Sequence, residues 1–102
     1  IDGTNVNADL DDETSWKNVF DRVVEATKTT KMRDFDLVRF PEQGVTAFLV
    51  LSESHVSVHT YPENNAYHFD VFSCKQFDVN DIIKILKDVF GSHEIDERVY
   101  RR

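Results

Sequence analysis

Between residues 45 and 73 the sequence carries three β-type segments whose connections are too short for anything but sharp reversals. Parallel strands need a crossover of a dozen or more residues, so this part of the chain is committed to antiparallel pairing. Val45–Leu51 is almost continuously apolar, which predicts a strand buried on both faces. Residues 55–61 and 66–73 are rich in Val, Phe and Tyr, and the turn-forming Pro62-Glu63-Asn64-Asn65 between them predicts a hairpin.

Around this centre the periodicity predicts further elements. Residues 5–10 alternate, with Val6, Ala8 and Leu10 on one side, as in a strand. Trp16, Val19, Phe20, Val23 and Val24 then recur at helical spacing behind Asp11-Asp12-Glu13, with Asp12 or Thr14 as cap. Residues 35–40 read as a strand. Val79, Ile82, Ile83, Leu86, Val89 and Phe90 read as a second helix, capped by Asp78 or Asn80 and closed at Gly91. A strand over residues 94–100 completes the order β-α-β-β-β-β-α-β. The expected fold is a single α+β domain over residues 1–102, a two-layer sandwich with two helices on one face of a largely antiparallel sheet.

Bulk properties narrow the partners. Nineteen acidic against twelve basic residues give a net charge of −7, which repels nucleic-acid phosphates and anionic membrane surfaces. The longest apolar stretch, Ala47-Phe48-Leu49-Val50-Leu51, is far short of the roughly 20 residues of a membrane span. No signal-peptide pattern is visible, and the lone Cys74 has no internal disulfide partner, so the expectation is a cytoplasmic chain.

One run concentrates reactive side chains. Gly44-Val45-Thr46 is followed by Ser52-Glu53-Ser54-His55, then by His59-Thr60-Tyr61-Pro62-Glu63, then by Asp70-Val71-Phe72-Ser73-Cys74. In their order and spacing these motifs resemble the S-adenosylmethionine decarboxylases of the short prokaryotic type, most closely over residues 40–74. The resemblance implies a proenzyme that cuts itself between residues 53 and 54. The serine of the Glu53-Ser54 pair attacks the preceding carbonyl, and β-elimination of the resulting ester leaves a pyruvoyl group derived from Ser54. It further implies that His59 removes the α-proton, that Thr46 assists in place of the usual serine, and that Cys74 returns a proton to the substrate carbon. Phe40 and Tyr61 would lie near the adenine of S-adenosylmethionine, and Glu63 would bind its ribose hydroxyls. The implied role is supply of the aminopropyl donor for spermidine and other polyamines.

These residue types suit that chemistry. Loss of CO2 from an amino acid needs an electron sink, which a pyruvoyl carbonyl supplies without pyridoxal phosphate. A thiol can return the proton, and an acidic, aromatic pocket suits a sulfonium cation. The segment Asn64-Asn65-Ala66-Tyr67-His68-Phe69 departs from the Gly- and Ala-rich stretch usual in the family. It motivates an alternative substrate, arginine or ornithine, on the same scaffold. A second alternative is a homologue that never cuts and acts as a binding or regulatory protein.

Strand arithmetic adds a constraint. With a four-residue loop at 62–65, Tyr61 faces Ala66, Ser54 falls opposite Ser73, and Cys74 lands beside Ser54. His59 is five residues from Ser54, about 16 Å along a strand and on the other face. A tight turn near residues 52–54 would put Thr46 opposite Thr60 and near His59. Ser54 and Cys74 then form one half-site, Thr46, His59 and Glu63 another, and a homodimer with shared sites is expected. No metal is expected, since His55 and His59 stand about 13 Å apart on a strand. The acidic run Asp9, Asp11, Asp12 and Glu13 reads as a solvated helix start.

Overall fold

The computed structural model describes residues 1–52, 54–73 and 76–100. Its order is β1 (Asp2–Thr4), α1 (Glu13–Thr27), β2 (Asp36–Arg39), β3 (Val45–Leu51), β4 (Ser54–Tyr61), a 3-10 turn (Pro62–Asn64), β5 (Ala66–Phe72), α2 (Val79–Phe90) and β6 (Glu94–Asp96). The strands form one six-stranded sheet in the order β2-β3-β4-β5-β1-β6, every neighbouring pair antiparallel. Both helices cover one face, giving the expected α+β sandwich.

The core follows from two periodicities meeting. Every second residue of the central strands, Val45, Ala47, Leu49, Leu51, Val56, Val58, Tyr67 and Phe69, is buried. Against them pack Trp16, Val19, Phe20 and Val23 of α1 and Ile82, Leu86 and Phe90 of α2. Trp16 is the hub: its ring meets Tyr67 edge-on at 5.5 Å, and it lies 4.6 Å from the Phe90 ring. Its indole N–H donates to the Leu10 carbonyl at 2.7 Å, so the buried polar atom is satisfied. At the start of α2 the Asp78 carboxylate accepts from the Asn80 N–H at 2.9 Å.

Three expectations need correction. Residues 5–10 are not a strand. Asn5 takes a left-handed φ of +56° and ends β1, while Val6 and Leu10 drop into the core from an irregular segment. Alternating burial alone does not require a paired strand. The last strand stops at Asp96, because its partner β1 offers only three residues, Thr4 opposite Glu94 through Asp2 opposite Asp96. β3 is buried on one face only: Phe48 on its other face is 43% exposed. No third layer covers that side among the described residues, so the apolar residue between two buried ones faces outward.

Gly3 is fixed by its neighbour. A Cβ there would stand 2.2 Å from the ring of Tyr67, which is buried and bonded to His93 at 2.8 Å. Gly3→Ala should therefore lower stability by about 1–3 kcal/mol through overpacking. A urea titration checks this; an unchanged midpoint would show that the ring moves aside freely.

Candidate active site

The chemistry-bearing side chains stand on the uncovered face. In β4 the odd positions His55, Ser57, His59 and Tyr61 alternate with buried Val56, Val58 and Thr60. In β3 the matching positions are Thr46, Phe48 and Val50, and in β5 they are Ala66, His68, Asp70 and Phe72. Phe48, His55 and Phe72 form a stack across three strands, with ring centroids 5.5 and 5.6 Å apart. Tyr61 and Phe40 are about half exposed.

The structure makes Thr46 the direct partner of His59, one register step from the expected pairing with Thr60. Leu51 pairs with Ser54 across residues 52 and 53, which tightens the reversal and shifts every pair by one. Thr46 Oγ1 and His59 Nδ1 then share a hydrogen bond of 2.8 Å. Phe40 and Pro62 gather at the same end of the sheet: a Cβ on Gly44 would lie 3.5 and 3.9 Å from them. Gly44 itself has a φ of +99°. Glu63, in the adjoining 3-10 turn, is exposed.

Ser54 lies at the other end of β4. Pairing runs without a break from Tyr61 opposite Ala66 to His55 opposite Phe72, as the turn predicts, and no bulge shortens the strand. Five residues of regular strand separate Ser54 from His59 by about 16 Å and set them on opposite faces. Glu53 and Cys74 lie outside the described residues, so the structure brings together Thr46 and His59 and leaves Ser54 apart from them. A hollow of about 590 Å³ beside β2 and β3 is lined by Arg33, Asp34, Phe35, Asp36, Phe48 and Val50. None of the sequence-derived site residues lines it.

Two features were not anticipated. His68, opposite His59, has carboxylates at both ring nitrogens, Asp2 at Nδ1 and Asp70 3.3 Å from Nε2. Asp11, read as part of a solvated helix start, instead bonds the Thr60 hydroxyl at 3.0 Å and the Gly44 N–H at 2.9 Å. The signal for Asp11 was Thr60 at a buried position of β4, where a hydroxyl must find a partner. Among the described residues no group of three His, Cys, Asp or Glu side chains is arranged to hold a metal ion. No described helix is long and apolar enough to cross a membrane.

The fold is thus a two-layer α+β sandwich with a hydrogen-bonded Thr–His pair at one end of β4 and a serine at its other end. The S-adenosylmethionine decarboxylase family profile matches residues 1–102. The S-adenosylmethionine decarboxylase proenzyme of a Hydrogenobaculum species is 32% identical over 95% of this chain and 73% of its own length. Proenzymes of the same name from Clostridium botulinum and Symbiobacterium thermophilum are 40% and 42% identical over 58% and 64% of this chain. The match spans about half of those two relatives, 53% and 50%. The crystal structure of the Aquifex aeolicus adenosylmethionine decarboxylase shares the fold, with a TM-score of 0.68 over 99% of this chain and 92% of that one, at 21% identity. The chain belongs to the S-adenosylmethionine decarboxylase family.

The His68 contact sets a pH dependence. The Asp2 carboxyl is held below its ordinary value, chiefly by the hydrogen bond from His68, with burial acting against it. A carboxyl depressed on folding stabilises the fold above its unfolded value and loses that contribution as pH falls through the folded one. Both side chains are more than two-fifths exposed, so the effect is that of a surface pair, within about 1 kcal/mol. Asp2→Asn should lower the urea midpoint at about pH 6, and the difference should shrink as the pH falls below the ordinary carboxyl value of about 4. A pH-independent difference would assign the effect to packing.

Proposed function

We propose that the chain is a proenzyme that cuts itself between Glu53 and Ser54 and then decarboxylates S-adenosylmethionine. The hydrogen bond between Thr46 and His59 is the observation that carries this reading. With Nδ1–H donated to the Thr46 hydroxyl, Nε2 is left as the basic nitrogen. That is the arrangement a proton-removing histidine needs.

Ser54 fits the origin of a pyruvoyl group, because it opens β4 directly across a reversal from the last residue of β3. In the proposed cut, Ser54 Oγ attacks the Glu53 carbonyl carbon and the peptide C–N bond gives way to an ester. His59 then takes the α-proton of residue 54 as the ester C–O bond breaks and the Glu53 carboxylate leaves. Water replaces the nitrogen of the resulting dehydroalanine as ammonia. The pyruvoyl carbonyl supplies the electron sink for loss of CO2. Cys74, by its place in the motif, would protonate the substrate carbon. Phe40, Tyr61 and Glu63 would hold the nucleoside end, and the exposure of the two rings supports that use.

His59 of one protomer is too far from its own Ser54, so the reading requires a homodimer in which each site joins Ser54 and Cys74 of one chain to Thr46, His59 and Glu63 of the other. The uncovered sheet face, with Val38, Phe48, Tyr61 and Phe72 each more than 40% exposed, supports association through the side that carries Thr46 and His59, which the partner's Ser54 would reach from the reversal at the end of its own β4 rather than from the face of that strand.

Incubated protein should resolve on a denaturing gel into two fragments of roughly half the chain each, the second carrying a pyruvoyl mass, and Ser54→Ala should stay whole. His59→Ala should slow the cut by about 100-fold or more, the scale of a lost general base. Mixing Ser54→Ala with His59→Ala should restore cutting of the His59→Ala chain; no recovery under conditions that exchange subunits would sink the shared site. Release of CO2 from labelled S-adenosylmethionine, and not from arginine or ornithine, is the expected substrate result. A chain that stays whole throughout points to the non-processing homologue.

A further inference from the structure

We infer that Asp11 is a positioning residue for the Thr46–His59 pair, its carboxylate bonded at once to the Gly44 N–H and the Thr60 hydroxyl that bound this pair. The inference rests on the reading of His59 as the base of the self-cleavage.

Thr46 opposite His59 is the outermost pair of the β3–β4 ladder. Ladder ends fray unless something beyond the last pair holds them. One step out, the Val45 N–H donates at 2.8 Å to the side-chain oxygen of Thr60. The Thr60 hydroxyl spends its single proton on Asp11 Oδ1 at 3.0 Å, the Val45 carbonyl being farther at 3.4 Å. Asp11 Oδ2 accepts from the Gly44 N–H at 2.9 Å. One carboxylate thus orients both strands immediately outside the pair. Thr60 and Gly44 each lie within two residues of a member of that pair, so a shift in either moves a ring or a hydroxyl.

Asp11 is itself well held. Its carbonyl accepts from the Arg39 guanidinium at 2.7 Å, and its N–H donates to Asp9 Oδ1 at 2.9 Å. It stands just before α1, so it links the helical layer to the end of the sheet. The chemistry also requires an acid here. Two donors face the side chain, and an amide offers one oxygen to them and turns a third donor toward the other.

The test separates positioning from stability and from the cleavage reading. At a temperature well below each variant's unfolding midpoint, Asp11→Asn and Asp11→Ala should cut at least about tenfold more slowly, as expected when a reacting group is displaced by a fraction of an ångström. Thr60→Ser, which keeps the hydroxyl, should cut near the original rate, and Thr60→Val should behave like the Asp11 variants. In an uncut Ser54→Ala background, the nitrogen NMR resonance of His59 Nδ1 should shift when Asp11 is replaced. Cutting at the original rate in Asp11→Ala, or an unmoved Nδ1 resonance, overturns the proposal. If the unaltered chain never cuts, the cleavage reading fails alone, and the resonance still decides: a shift upholds the role of Asp11 in holding the pair, and no shift removes it.

Discussion

In β3, β4 and β5 every second side chain enters the layer between sheet and helices, and the residue between stands on the other side. That alternation is the constraint on which the molecule depends. It fills one face with Val, Leu, Ala, Tyr and Phe and leaves the other free to carry Thr46, His55, His59 and His68 at no cost to the core. A slip of one residue in any of these strands would exchange the two sets, burying imidazoles and exposing valines. Selection for a packed core and selection for a reactive surface therefore act on the same register.

The register was legible where a turn declared it. Pro62-Glu63-Asn64-Asn65 fixes Tyr61 opposite Ala66, and the pairing follows to Phe72. The reversal before Ser54 carries no such signature: Ser52 and Glu53 suit several turn lengths, and the expected partner of Thr46 was off by one. Both helix starts and the end of the second helix were legible, because apolar spacing, the acids Asp12 and Asp78 at the N-cap positions and Gly91 agree. The strand at 5–10 misled because two buried side chains in an irregular segment imitate alternation.

For the site, the residue types came from motif order, but their grouping came from strand geometry. Asp11 was hidden because a carboxylate in an acidic run looks solvated until the partner 49 positions away is known. His68 stood in the segment that departs from the family pattern, yet its two carboxylate neighbours come from β1 and β5, and β1 was expected a few residues later in the chain. Contacts made by a misassigned strand cannot be read from local pattern.

The sheet order has a consequence for chain continuity. Residues before 54 contribute β1, α1, β2 and β3, and residues from 54 on contribute β4, β5, α2 and β6. Yet β1 lies between β5 and β6, and β3 is zipped to β4. Two polypeptides severed at that point would be interleaved rather than adjacent, each completing the other's sheet. The core draws on both pieces, so they would leave one another only by unfolding, and strand pairing rather than the covalent link between β3 and β4 would hold them together.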